Sequence, residues 1–320
     1  MRVRVTSTGL YLPPKVETAE DLAPRVGRSV EWILERTGVF ERRVAEEPVE
    51  SMAAKAGALA IGDGPPPDLI VNASTTPRQA LPDTSVFVQR ELGWEGIPCH
   101  TVHATCLSFL IALHQVAALL TVGAYQRVLI VSSEIGSIGR NWDEPESAVL
   151  LGDGAAAAIV ERTPDDEGSA LLAYKMGCWP SGAGLTEVAG GGVLHHPNDP
   201  GTRREHNLFH MDGPGIYRMA RRRVAIVLRD VLTRASWTQS DVDLVVPHQA
   251  SGTAVAAVAR YGFPPERIVN VVGRFGNTIG ASLPMALAAA NAEGRMRRGD
   301  QVLLVGTGAG LSVAAAALRW

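Results

Sequence analysis

The chain repeats itself. Asp68-Leu-Ile-Val-Asn-Ala-Ser74 is a short apolar run of buried-strand type, followed by a long small-residue helix beginning near Cys106 and then by a second run, Arg127-Val-Leu-Ile-Val-Ser132. The order returns as Asp243-Leu-Val-Val-Pro-His-Gln249, a helix from Gly280 onward, and Gln301-Val-Leu-Leu-Val-Gly306. Asp68 to Val128 spans 60 positions and Asp243 to Val302 spans 59. A unit that recurs in order and spacing is the mark of a duplication. Apolar runs without polar alternation, interleaved with helices, belong to sheets covered on both faces. The expected architecture is therefore α/β, two similar halves related by a pseudo-twofold axis. Their division is placed in the polar turn cluster Thr163-Pro-Asp-Asp-Glu-Gly168, giving halves 1–163 and 164–320. Ser181 to Glu205, polar and rich in Gly and Pro, is expected to be a loop.

Composition removes several classes. With 320 residues, 46% of them apolar, the chain buries one large core or two fused ones. A net charge of -3 gives no field built for nucleic acid. The apolar stretch Leu107–Val122 is interrupted by His114 and Gln115 and falls short of the roughly 20 residues a bilayer span needs, so it reads as a buried helix. The N-terminus runs directly into strand-like alternation with no leader, and the expected location is the cytoplasm. Three cysteines without a CxxC pair indicate neither a disulfide framework nor a zinc site. His195, His196, His206 and His210 fit no standard metal spacing, and no metal or cofactor is expected.

Three residues carry the chemistry. Cys106, in His103-Ala-Thr-Cys106, falls between a strand-like segment and an apolar helical run, where a helix N-terminus favours thiolate. Taken alone it reads equally as an inert buried cysteine. His248 follows the strand Val242–Val246, at the strand end where α/β proteins gather binding residues. Asn277 lies in Gly273-Arg-Phe-Gly-Asn-Thr-Ile-Gly280 and alone would be a turn or cap residue. The repeat sets Gly280 at the position of Cys106, with Asn277 one turn before it, so all three can converge where the halves meet.

These segments, in this order, resemble the catalytic motifs of 3-oxoacyl-acyl-carrier-protein synthase III, a condensing enzyme of the thiolase superfamily: Ala-Thr-Cys106, Val-Pro-His-Gln-Ala250 and Gly276-Asn-Thr. Tyr11-Leu-Pro13, Glu31-Trp-Ile-Leu-Glu-Arg-Thr-Gly38, Gly152-Asp-Gly-Ala155 and Gly306-Thr-Gly-Ala-Gly310 extend the likeness over nearly the whole chain. The resemblance implies a thiolase-like fold, mixed sheets sandwiching and covered by helices in αβαβα layers. It implies a decarboxylative Claisen condensation in which Cys106 takes an acyl group from coenzyme A. The backbone N–H groups of Cys106 and Ala309 form the oxyanion hole, and His248 Nε2 and Asn277 stabilise the enolate of a malonyl thioester. It further implies coenzyme A contacts at Trp32 and Arg36, Leu81 reaching across a homodimer to cap the partner's acyl pocket, and acyl carrier protein docking at Arg218. Arg221, Arg222 and Arg223 accompany Arg218 on the same helix, which reads equally as a solvated face.

Departures from the family pattern lie on the substrate side. Pro145 stands where an Arg commonly holds coenzyme A, Ser251 ends the His-Gln-Ala motif, Thr253 replaces a basic residue, and Pro214 replaces an Asn. They point to a primer for a specialised metabolite. The loop Gln79-Ala-Leu-Pro-Asp83 lacks the Glu of relatives that join two long acyl chains. The competing readings are an acyltransferase on the same fold and a catalytically silent partner subunit.

Overall fold

A computed structural model describes residues 1–320. The duplication is visible in the hydrogen-bond ladders. One sheet has the spatial order Val3–Tyr11, Asp153–Arg162, Arg127–Ile135, Leu69–Asn72, Cys99–Thr101; the other has Ala170–Gly182, Gly310–Arg319, Gln301–Gly308, Leu244–Pro247. Leu69 pairs in parallel with Val128, and Leu244 pairs in parallel with Val302. The start of each pairing is built alike: the N–H of Asp68 donates to the Arg127 carbonyl and that of Asp243 to the Gln301 carbonyl, both at 2.9 Å. Each carboxylate then accepts a backbone N–H at the head of the neighbouring strand, Gln126 at 2.7 Å and Gln301 at 2.8 Å. The two Asp residues that open the repeat are thus register pins.

The first sheet has five strands and the second four. The counterpart of Cys99–Thr101, which pairs with Leu69–Asn72, is reduced to a single bridge between Val245 and Ile268. The first sheet ends at Arg162 and the second begins at Ala170, with the polar 163–168 turn between them.

Helices Ser108–Thr121 and Ser282–Ala292 lie between the sheets, and the largest buried cluster, 39 residues, forms there from both helices and the inner faces of both sheets. All but two of the residues of Ser282–Ala292 are buried, and its Ala-rich composition lets two sheets approach it from opposite sides. Outside, Val49–Ile61 covers the first sheet and the long helix Gly213–Ala235 covers the second. The layers run αβαβα. The 181–205 segment is more ordered than a plain loop: the strand Ala170–Gly182 runs into it, and Thr186–Glu187 pairs with His210–Met211 to tie its base. No helix is long and apolar enough to cross a membrane.

Candidate active site

The two central helices begin in matching turns. Cys106 sits in the 3-10 turn Thr105–Leu107, which continues directly into Ser108–Thr121; Gly280 sits in Ile279–Ala281, which continues into Ser282–Ala292. Thr105 has φ of 53° and Ile279 of 48°. A β-branched residue in the left-handed region is strained, typically by about 1–3 kcal/mol, and persists only where its surroundings hold it. At the first turn Ser108 does so: its Oγ accepts the Ala104 N–H at 2.9 Å and donates to the Thr105 carbonyl at 2.7 Å. Only one turn carries a nucleophile, and packing explains why. A Cβ on Gly280 would lie 2.6 Å from Glu134 Oε1 and 3.2 Å from the Thr105 carbonyl oxygen. The first half's glutamate fills the space that a second cysteine would need.

Glu134 is fully buried. Its carboxylate accepts the backbone N–H groups of Thr75 at 2.6 Å and Thr76 at 2.8 Å and the Thr76 hydroxyl. Burial outweighs those donors and pushes the pKa of the carboxyl group up to about 7, making it a weaker acid. Burial, followed by the nearby Glu134 charge, pushes the Cys106 thiol up to about 12, against the opposing pull of the backbone N–H groups of Cys106 and Ala309. The pull of the helix end toward thiolate is thus opposed: desolvation and a neighbouring carboxylate favour the thiol in the resting site. The two N–H groups aimed at the sulfur are those assigned from the resemblance to an oxyanion hole.

His248 follows the strand Leu244–Pro247, and its N–H donates to the Val305 carbonyl at 2.8 Å, which fixes the backbone. Its side chain is buried, and burial lowers its basicity to about 4, so the imidazole is neutral. Nδ1 is hydrogen-bonded to Ser282 Oγ, which also accepts the Gln249 N–H at 3.1 Å. Asn277 is held by its own amide: Oδ1 accepts the Ile279 N–H at 2.9 Å and Nδ2 donates to the Ala250 carbonyl at 3.3 Å. One Nδ2 hydrogen remains for a ligand. Its backbone is bridged to Leu151, with Asn277 N–H donating to Leu150 O at 2.7 Å and Gly152 N–H donating to Asn277 O at 3.1 Å, so the first half positions the second half's amide.

Cys106, His248, Asn277 and Ala309 line one pocket of about 510 Å³. Arg36 lines it as well. Trp32 stands one turn earlier on the same helix, Val30–Thr37, half-buried outside the lining, with the Arg28 guanidinium 5.5 Å from its ring centroid. Ser251, Thr253 and Pro214 face the pocket, while Pro145 opens a short helix whose next residue, Glu146, reaches it. Leu81 is 84% exposed on its loop and does not line this protomer's pocket. Arg218 is exposed on the Gly213–Ala235 helix. Of the four loop histidines, His195 and His206 stack at 3.6 Å between ring centroids, His196 accepts the Asn198 N–H, and His210 pairs with Glu144 at 2.5 Å, which raises its basicity.

Family models of the 3-oxoacyl-[acyl-carrier-protein] synthase III fold match residues 101–180 and, as its C-terminal part, residues 232–320. The beta-ketoacyl-[acyl-carrier-protein] synthase III of Erythrobacter litoralis is 37% identical, covering 100% of both chains. That of Desulfitobacterium hafniense is 33% identical over 99% of this chain and 98% of the relative. This chain belongs to the 3-oxoacyl-[acyl-carrier-protein] synthase III family. The crystal structure of the family member from Aquifex aeolicus superposes with a TM-score of 0.90 at 33% identity, covering 99% of this chain and all of that one. That from Pseudomonas aeruginosa gives 0.90 at 31% identity, covering 100% and 98%.

Two residues of this synthase III site escaped the sequence reading. Ser282 has a signal in the repeat, since it is the counterpart of Ser108 at the head of the equivalent helix. Glu134 has none: it ends an apolar strand run and becomes notable only because the other half packs Gly280 against it.

Proposed function

We propose that this protein condenses an acyl group, taken from an acyl-coenzyme A, with malonyl-acyl carrier protein, releasing carbon dioxide and forming a 3-oxoacyl product. The observation that carries the reading is the convergence of a buried thiol, a neutral imidazole and a fixed amide on one pocket. Cys106 sulfur attacks the thioester carbonyl, the coenzyme A thiolate leaves with the thiol's proton, and the acyl group stays on sulfur. The N–H groups of Cys106 and Ala309 hold the oxyanion of each tetrahedral intermediate. His248 Nε2–H and the free Asn277 Nδ2–H donate to the malonyl thioester carbonyl, stabilising the enolate as carbon dioxide leaves. The enolate carbon attacks the acyl-cysteine, the carbon–sulfur bond breaks, and the departing Cys106 thiolate takes a proton from solvent water.

Trp32 and Arg36 are proposed to hold coenzyme A, and Arg218 to meet the acidic carrier. The working unit is proposed to be a cytoplasmic homodimer. Its support is the edge strand Cys99–Thr101, which has a partner on one side only, together with exposed Leu81 and Val86 nearby in sequence. In that assembly Leu81 would be covered at the partner's pocket.

Intact-protein mass spectrometry tests the reading. Wild type, and not Cys106→Ala, gains an acyl adduct from acyl-coenzyme A, and malonyl-loaded carrier protein discharges it as a 3-oxoacyl product. An adduct that malonyl carrier cannot discharge would establish acyl transfer without condensation and overturn the proposal.

A further inference from the structure

The backbone of Asn277 is docked on the run 150–152, and that run is gripped from its other side. Leu151 and Asn277 form an isolated parallel bridge, in which Leu150 and Gly152 make the hydrogen bonds to Asn277 and the Leu151 carbonyl points away from it. There Arg140 meets it, with Nε–H donating at 3.2 Å and Nη2–H at 2.7 Å. The remaining nitrogen, Nη1, donates to Glu17, whose other carboxylate oxygen accepts from Arg25 at 3.2 Å. Arg25 in turn lies 3.7 Å over the ring of Trp142. The Arg140 guanidinium is thus buried and held at both ends of its fork. One residue earlier, fully buried Arg42 donates to the Val149 carbonyl. The crossing of the two halves has no slack: a Cβ on Gly152 would lie 2.3 Å from the Phe275 carbonyl oxygen, and one on Gly276 2.5 Å from that of Leu150.

We propose that Arg140, locked by Glu17, is a positioning residue for Asn277: by fixing the Leu151 carbonyl it sets where the free Nδ2–H of Asn277 points, and so acts on the malonyl half of the reaction. The inference rests on the reading of Asn277 as a donor to the malonyl thioester. Asn277 uses Oδ1 on the Ile279 N–H and one Nδ2 hydrogen on the Ala250 carbonyl, so the direction of the other hydrogen follows its backbone. A misplacement on the order of 1 Å costs about a hundredfold in rate. Cys106 depends on none of these contacts, because the turn Thr105–Leu107 and Ser108 hold it. A buried water molecule would satisfy the Leu151 carbonyl without desolvating a guanidinium. Burial, followed by the Arg140 charge, pushes the pKa of Arg42 down to about 9, so setting two cations side by side carries a cost. What the arginine adds over water is a rigid planar fork that fixes the carbonyl in place.

A double-mutant cycle on the two half-reactions tests this. Single-turnover rates of Cys106 acylation by acyl-coenzyme A, and of malonyl-acyl carrier protein decarboxylation by the acyl-enzyme at saturating substrate, are measured in wild type, Arg140→Gln, Asn277→Ala and the double variant. Arg140→Gln is expected to lower decarboxylation by about tenfold and acylation by less than about twofold. In the Asn277→Ala background it is expected to cost nothing further, since the group it positions is gone. Arg140→Lys keeps the charge against Glu17 without the fork on Leu151. It is expected to lose less than the glutamine variant in the same half-reaction, and it carries the same cycle if that variant does not fold. Equal loss in both half-reactions, a loss that persists in full without Asn277, or no loss in a folded variant would overturn the positioning role while leaving the proposed reaction intact. Full decarboxylation by Asn277→Ala alone would overturn the reading of Asn277 and the positioning role with it.

Discussion

His248 and Ser282 are hydrogen-bonded, Nδ1 to Oγ, across 34 residues of sequence. Because Ser282 Oγ already accepts the Gln249 N–H, its own hydrogen is free to donate to Nδ1, which leaves the proton on Nε2. That tautomer is the one able to donate to a malonyl carbonyl. Ser282→Ala is expected to lower the rate of malonyl decarboxylation on the acyl-enzyme by about ten- to a hundredfold, the range of one positioned proton donor. Cys106 acylation should fall much less. Single-turnover kinetics of the two half-reactions measure the split, and equal loss in both would assign Ser282 a purely structural role.

Two buried groups bend the stability profile in opposite directions. Glu134 is raised from 4.5 to about 7, so between those values the unfolded chain has released a proton that the folded one keeps, and stability falls as pH rises. His248 is lowered from 6.5 to about 4, so the unfolded chain binds a proton that the folded one refuses, and stability rises with pH. Each slope is about 1.4 kcal/mol per pH unit at most, and between pH 4.5 and 6.5 they oppose each other. Glu134→Gln is expected to leave a net gain in unfolding free energy as pH rises through that window, and His248→Ala a net loss, each relative to wild type. Urea titrations at three pH values decide it.

Gly280→Ala places a methyl 2.6 Å from a glutamate that cannot retreat, since three donors from Thr75 and Thr76 hold it. The expected cost is about 1–3 kcal/mol, the range for forcing atoms into a packed interior. Activity should drop further than stability alone explains, because beside Thr75 Oγ1 at 3.1 Å the methyl also crowds, at 3.2 Å, the Thr105 carbonyl next to the nucleophile. Thermal melts paired with acylation rates measure both; a melt unchanged from wild type contradicts the packing argument.

Arg218 is exposed, so charge reversal should leave the fold alone and act on encounter with an acidic carrier. Arg218→Glu is expected to raise the KM for malonyl-acyl carrier protein by about tenfold, the effect shrinking with added salt. Parallel assays with malonyl-coenzyme A should show little change. If both extenders suffer alike, the arginine serves the pocket instead of the carrier.

The duplication is legible in the order of the residues, and with it the fold class and the meeting of Cys106, His248 and Asn277. This was possible because register is set locally: the apolar runs carry the strands, and Asp68 and Asp243 pin the same pairing in each half. Cys106 declares itself through a motif that spans adjacent residues. Other properties depend on contacts between segments far apart in the chain. Burial together with the Glu134 charge made Cys106 a resting thiol, although its helix end argues for thiolate. The facing of Gly280 and Glu134 restricted the molecule to a single nucleophile. The pocket itself is lined by the Gly213–Ala235 helix and by residues more than thirty positions later, and a void has no residue of its own in the sequence to announce it.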